Sequence, residues 1–347
     1  MKKYLFTMAT AAMLFASCSS DDTVVDNGAN EEGLVEIKLG AGSRVGTDVS
    51  ESKGRAAEPV DDWNNTIVGI VAVSAGETPW NEEGTNPVTV LLNDVEGTIE
   101  SSTENGIDLK DGPWYYPRIS RLGYNFFGYY PKTGATLADG TITTGDKNFT
   151  GYDDIMWAEV NNDDKPAGGY NADSFKGTTA VQNDPNLHFK HLTTLLKFVV
   201  KKGDDYDDET CAINNFDVII PATYNLTVAS QDSEKPAGTI VWGDDRTAGV
   251  SAASVTLPYS FDDTTDNIEF GQIFVKPGET SYSLILNIGN TTSSISETKE
   301  LKLSSGEAFA AGKVYTITMT VNGPQAITLT ATLEGWIDSN ENIEFGI

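Results

Sequence analysis

Ala326-Ile-Thr-Leu-Thr-Ala-Thr-Leu-Glu334 alternates apolar and polar residues without a break. Ile327, Leu329, Ala331 and Leu333 share one face, and Thr328, Thr330, Thr332 and Glu334 share the other. That period of two belongs to a β-strand with one buried face. After Gly335-Trp336 and a turn over Asp338-Ser339-Asn340 the alternation resumes, with Ile343, Phe345 and Ile347 pointing together between Glu344 and Gly346. This last segment reads in two ways. It is a docked terminal hairpin, or it is a strand meant for a groove on another subunit. A groove with an unpaired edge accepts such a strand through ladder hydrogen bonds and pockets for alternate side chains.

The same grammar extends upstream. No stretch keeps apolar residues at i, i+3, i+4 and i+7 over three turns with capping signals. Short β-branched and aromatic runs recur instead between clusters of Gly, Asn, Asp and Pro. Ile67 to Val73 is continuously apolar, as expected of a strand buried on both faces. Further strands are expected at Val88 to Leu92, Gly123 to Tyr130, Asp154 to Ala158, Ala212 to Ile220, Tyr224 to Ala229, Gly238 to Trp242 and Ser254 to Leu257. Ile268 to Val275, Tyr282 to Ile288, Thr298 to Leu303 and Lys313 to Val321 complete this set. Leu187 to Lys201 reads as one strand, or as a strand with a bulge, because Thr193-Thr194 and Phe198-Val-Val200 oppose a helix. The polar stretch 161–185 is the best boundary or long loop. The fold class is mainly β, as two tandem sandwiches; 347 residues suffice for about two domains.

The formal net charge of −28 excludes nucleic-acid binding, which rewards clustered Lys and Arg, and electrostatic docking to an anionic leaflet. The two cysteines, Cys18 and Cys211, supply no disulfide framework if Cys18 is modified.

Lys2 and Lys3 precede an apolar run from Tyr4 to Ala16, which ends at Leu-Phe-Ala-Ser-Cys18. A charged start, a short apolar run and small residues before the break make a cleaved signal peptide. The run is too short to span a bilayer, which takes ~20 apolar residues. Its end resembles the lipobox of bacterial lipoproteins, in which the cysteine thiol is acylated (palmitate among the lipids) and becomes the mature N-terminus. Residues 19–33 then read as a flexible acidic tether. In Leu34 to Leu39, Val35, Ile37 and Leu39 face one way and Glu36 and Lys38 the other. A polar run holding Arg44 and Arg55 follows.

Enzymatic and metal signatures are not legible. His188 and His191, an odd number of residues apart on a strand, face opposite ways and cannot chelate together. Asp204 to Glu209 lacks the spacing of a calcium loop, and Cys211 has no basic neighbour to activate it. No cofactor is expected. Trp114-Tyr115-Tyr116 reads as a buried aromatic segment or as a platform that stacks on a sugar ring. The second reading supports an alternative function, a surface glycan-binding lipoprotein for nutrient uptake.

Several of these pieces together carry a resemblance. They are the lipoprotein signal ending at Cys18, Asn125-Phe-Phe-Gly-Tyr-Tyr-Pro131, Asp154-Ile-Met-Trp-Ala158 and Leu187-His-Phe-Lys-His-Leu192. Phe309-Ala-Ala-Gly-Lys-Val-Tyr-Thr-Ile-Thr318 and Trp336 complete the series. In this order the chain resembles the fimbrillin family of Bacteroidetes, the Mfa-like or FimA-like subunits of type V pili. The resemblance implies transthyretin-like β-sandwiches, no enzymatic activity and the following division. Residues 1–17 form the signal peptide, 18–55 a lipidated leader, 56–182 the N-terminal sandwich and 183–347 the C-terminal sandwich.

It also implies a course of events. The precursor reaches the outer membrane surface as a lipoprotein, and a trypsin-like, arginine-specific protease cuts after Arg55, before Ala56, with Arg44 as the alternative. The strand Val35, Ile37, Leu39 then leaves. A C-terminal strand of a neighbouring pilin, carrying Ile343, Phe345 and Ile347, takes its place in an extracellular homopolymer or mixed pilus that supports cell adhesion. The complete C-terminal strand pair fits a stalk subunit. The partners implied are thus other pilin subunits, the outer membrane through the lipid, and the protease.

Overall fold

The computed structural model describes residues 34–43, 65–74, 88–100, 106–118, 122–160, 166, 168–175, 184–206, 211–252, 255–262, 266–289, 294–323 and 326–334. These residues are nearly all β. The first half comprises β1 (Leu39–Ser43), β2 (Ile67–Ser74), β3 (Thr89–Glu100), β4 (Gly106–Leu109) and β5 (Asn125–Tyr130). It continues with β6 (Thr136–Ala138), β7 (Thr141–Thr143), β8 (Lys147–Asn148), β9 (Met156–Val160), a 3-10 helix at Ala172–Phe175, and β10 (Asn186–His191). The second half comprises β11 (Thr194–Lys202), β12 (Ile213–Pro221), β13 (Thr223–Ser230), β14 (Ile240–Trp242), β15 (Asp245–Gly249) and β16 (Ser251–Ala252). β17 (Asn267–Val275), β18 (Ser281–Gly289), β19 (Ser294–Lys302), β20 (Val314–Gly323) and β21 (Ala326–Glu334) follow.

Seven of these strands close a barrel in the order β1-β10-β9-β5-β2-β3-β4, with β4 returning to β1. The expected mainly β, sandwich-type architecture holds, and β1 closes the first unit into a ring by lying parallel to β10 on one side and antiparallel to β4 on the other. A second sheet, β16-β17-β11-β20-β21, faces a third, β15-β12-β18-β19, in the C-terminal half. A fourth, β14-β13-β7-β6, joins strands from both halves.

Val68 to Val73 are buried on both faces, as the apolar run requires, while Ile67 at the start of the strand is exposed. Val68, Ile70 and Ala72 point into the barrel with Leu92, Phe126 and Met156. Val71 and Val73 point outward, and with Phe127, Tyr129 and Trp157 they join the core of the C-terminal sheets. Trp157 ties the two layers by donating its indole N–H to the Val228 carbonyl at 2.8 Å.

Three sequence expectations change here. The apolar segment Leu187 to Lys201 is two strands in different sheets, broken at Leu192–Thr193. β10 lies C-terminal to the expected division at 182/183, yet it belongs to the barrel. The buried Asp154 carboxylate holds the break: its Oδ1 accepts from Thr193 Oγ1 at 2.9 Å, and its Oδ2 meets His191 Nδ1 at 2.6 Å. Residues 255–257 form no strand, although Ser254 to Leu257 had the composition for one.

Candidate functional site

The site is the position that the leader segment fills in the barrel. Val35, Ile37, Leu39 and Ala41 are each about 95% buried, at 5%, 5%, 4% and 5% exposure, whereas Lys38 is exposed. The alternation read from the sequence thus places this face in the barrel core, among Ile107, Leu109, Tyr116, Leu187 and Phe189. The regular strand runs later than the expected Val35 to Leu39. β1 begins at Leu39, and before it Glu36 forms an isolated bridge to Tyr115. The difference follows from what flanks each part. Leu39 and Gly40 pair with Ile107 and Gly106 of β4, and Gly40 to Ser43 pair with Asn186 to Phe189 of β10. Val35 to Ile37 have a short loop edge instead.

That edge is the aromatic run. Ile37 N–H donates to the Trp114 carbonyl at 2.8 Å, and Tyr116 N–H donates to the Val35 carbonyl at 3.0 Å. The run is fixed independently of the leader. The Trp114 indole N–H donates to the Lys110 carbonyl at 3.0 Å. The Tyr116 ring is buried against Phe126, edge-on at 6.2 Å, and against Phe175 at 5.5 Å. Tyr170 stacks on Phe175 at 6.2 Å and closes this aromatic end of the barrel. Burial, reinforced by nearby Asp184, pushes the Tyr116 phenol well above its ordinary pKa, and its hydroxyl has no hydrogen-bond partner. Burial likewise raises the Asp184 carboxyl, an effect that the leader's Lys38 opposes. Of the two readings of Trp114 to Tyr116, the burial of Tyr116 favours the buried aromatic segment over the sugar platform, and the backbone of the run adds a pairing edge.

Gly40 lies close to Asn186 of β10. A Cβ there would lie 3.0 Å from Asn186 Oδ1, and its other neighbour across the ladder is also a glycine, Gly106. Pro185 accepts the Gly40 N–H at 2.9 Å.

The magnitudes show what holds the leader. Burying Val35, Ile37 and Leu39 contributes about 1.5–3 kcal/mol each as an upper bound. Each ladder hydrogen bond adds a net ~0.5–1.5 kcal/mol. While the leader is covalently attached, these contacts act at a high effective concentration. A cut makes them bimolecular and dilutable.

Cys18, Arg44, Arg55, Ala56, Ile343, Phe345 and Ile347 lie outside the described residues. The strand before the last expected one is described: β21 pairs antiparallel with β20 along its whole length and forms an edge of its sheet. Among the described residues no group of three His, Cys, Asp or Glu is placed to hold a metal ion, and His191 is engaged by Asp154. Sequence reading missed β4 and the role of Trp114 to Tyr116. Neither has a local signal, since β4 is four residues long and the aromatic run acts through its backbone.

The described residues are nearly all β, and a strand from the N-terminal segment closes the first barrel. Comparison with known proteins supplies the family. The family described as fimbrillin-like matches residues 55–336, and the chain belongs to it. A candidate cell adhesion protein from Bacteroides uniformis shares 16% identity at a TM-score of 0.51, covering 89% of this chain and 100% of that one. A second, from Bacteroides ovatus, shares 13% identity at a TM-score of 0.48, covering 87% and 98%. At these identities the first likeness shows a common fold and nothing more. Among curated proteins none matches.

Proposed function

We propose that this protein is a structural subunit of a surface pilus, assembled by exchange of its leader strand and supporting cell adhesion. Membership of the fimbrillin-like family supports the pilus role, and the cell adhesion proteins that share its fold agree with it. The observation that carries the exchange is that β1 joins both remaining edges of the barrel, β10 and β4, while burying an alternating apolar face. Its loss leaves two unpaired edges around an apolar trough, which is the condition for accepting a strand from a second subunit.

The precursor would be held at the outer membrane by lipid on Cys18 and cut by an arginine-specific protease after Arg55. Arg44 directly follows Ser43, the last residue of β1, and Ala41 to Ser43 are engaged with Leu187 to Phe189. A protease reads an extended segment through its backbone, so the bond after Arg44 is blocked on its N-terminal side and Arg55 is favoured. The donor would be the segment carrying Ile343, Phe345 and Ile347, in a homopolymer or a mixed pilus, and the protein acts as a scaffold and not as an enzyme.

The test is to treat the purified precursor with an arginine-specific protease and follow mass and size together. A trim at Arg55 followed by oligomers supports the proposal. A trimmed chain that remains monomeric at high concentration contradicts it.

A further inference from the structure

Independently of any strand exchange, we propose that Lys132 and Asp94 condense to an intramolecular amide, an isopeptide cross-link assisted by Tyr129. The bond ties β3 to the chain just beyond β5.

Three neighbouring strands build the place. Between the pairs Ile70–Val95 and Ala72–Leu92, β3 carries one residue more than β2, a bulge that holds Asn93 and Asp94. Asp94 sits there at φ 56°, a left-handed backbone that few residues other than glycine adopt. Bulges re-aim side chains, and from this one the carboxylate reaches Tyr129 of β5, on the far side of β2. The Tyr129 ring crosses β2 at Gly69, its ladder partner, where a Cβ would lie 2.1 Å from Cε1 and 2.4 Å from Cζ. The glycine keeps that path open.

The side chains meet at one carboxylate. The Tyr129 hydroxyl donates to Asp94 Oδ1 at 2.5 Å, and Lys132 Nζ donates to Asp94 Oδ2 at 2.5 Å. The Gly134 N–H donates to the phenol oxygen at 3.1 Å and fixes its position. Tyr129 is fully buried; burial, reinforced by the bond to Asp94, pushes its phenol well above the ordinary pKa, so it stays a donor. The Lys132 and Asp94 side chains are 20% and 15% exposed, against 31% and 23% for Lys299–Glu297 and 58% and 33% for Lys110–Glu96.

These conditions favour condensation over a lasting ion pair. In water the ions win because both are hydrated, and a mostly buried pair has lost much of that hydration. Holding the amine against the carboxyl also makes the reaction intramolecular. Nζ lies at most one C–O bond further from Cγ, the carbon it attacks, than from Oδ2.

The step balances without an oxidant or a co-reactant. One ammonium proton passes from Nζ to Oδ2, which leaves a neutral amine and a neutral acid. The amine lone pair attacks Cγ, and the charge that develops on Oδ1 is met by the Tyr129 O–H, as in an oxyanion hole. A second proton moves from the nitrogen to Oδ2, the Cγ–Oδ2 bond breaks and water leaves. In the product amide, Oδ1 is the carbonyl oxygen and still accepts from Tyr129. A chain with two cysteines forms at most one disulfide, so the amide adds a covalent brace of another kind. It joins residues 38 apart and restricts the unfolded chain as a disulfide does.

The test is the mass of the full chain, purified and denatured. The parent is expected to be lighter by one water than the sequence between its measured termini. Its digest should contain a branched peptide in which residues 94 and 132 are joined. Lys132→Arg keeps the positive charge and is expected to show the full mass and two separate peptides. Tyr129→Phe keeps the ring and is expected to form the bond ~10²-fold or more slowly, in protein made by cell-free translation and sampled over time. A parent of full mass, with Asp94 and Lys132 in separate peptides, would overturn the proposal and leave an ion pair only. A water loss that persists in Lys132→Arg would overturn it too, since the loss then arises elsewhere. An unchanged rate in Tyr129→Phe would overturn the role given to the phenol. None of these readouts depends on polymerisation, so failure here and failure of the pilus reading are distinguishable.

Discussion

The amide of Tyr116 donates to the carbonyl of Val35 at 3.0 Å, and the ring of the same tyrosine is buried in the barrel beneath the leader. One residue therefore serves both as a rail for the strand and as part of the floor on which it rests. Because Phe126 and Phe175 hold the ring, the rail does not depend on the leader for its position. A groove that keeps its shape when emptied binds a second strand with less ordering cost.

The hydroxyl of Tyr116 is buried without a hydrogen-bond partner, a condition that costs free energy. Tyr116→Phe removes the orphan group and keeps the ring. The expected result is an uncut precursor stabilised by on the order of 1 kcal/mol, measured by denaturant unfolding. A loss of stability of that size would show that the hydroxyl is satisfied.

Leu39 pairs with Ile107 of β4, and its side chain is buried. Leu39→Ala should weaken leader docking by about 2–5 kcal/mol, as for other large-to-small core changes. Cut protein carrying it is expected to lose the leader faster and to assemble sooner than the parent, as read by mass spectrometry and light scattering on the same sample. Slower assembly would mean that the leader helps assembly and does not block it.

Burial raises the Tyr224 phenol to about 12, with nearby Thr133 opposing the shift and Asp153 adding a lesser push upward. In the unfolded chain the phenol titrates near ~10. The folded state thus keeps the proton that the unfolded chain loses. The stability from this group is complete below about pH 10, falls as pH rises from there, and is gone above about pH 12. Burial shifts Tyr116, Tyr129 and Tyr282 upward as well, which adds to the same slope. Melting temperatures measured from pH 9 to pH 12 should fall, and less steeply in Tyr224→Phe. A flat profile would contradict the burial of these phenols.

Much of the fold was legible where burial leaves a local mark. The run Ile67 to Val73 announced a strand covered on both faces, and Val35, Ile37 and Leu39 announced a strand with one buried face. What stayed hidden depends on distant partners. The break at Leu192–Thr193 is invisible in an apolar run because Asp154, remote in sequence, makes it through His191 and Thr193. The strands β6, β7 and β8 are too short and polar to stand out, and they take their order from β13. For Trp114 to Tyr116 the sequence left a buried aromatic segment and a sugar platform both open, because it displays side chains, whereas the contribution of this run to the site is largely backbone.

Glu36 and Tyr115 face each other across the leader and the aromatic edge. The bonds from Ile37 to Trp114 and from Tyr116 to Val35 flank the pair, which makes it a non-hydrogen-bonded pair, with Cα atoms about 4.5 Å apart, within the range a disulfide spans. Glu36→Cys with Tyr115→Cys, in a Cys18→Ser background, should lock the leader in place without disturbing either ladder. The decisive measurement is the size of this protein after cleavage by an arginine-specific protease, before and after addition of a reductant. A monomer while oxidised that becomes an oligomer on reduction is expected if the leader strand blocks assembly. Equal oligomer formation in both states, or none in either, would contradict it.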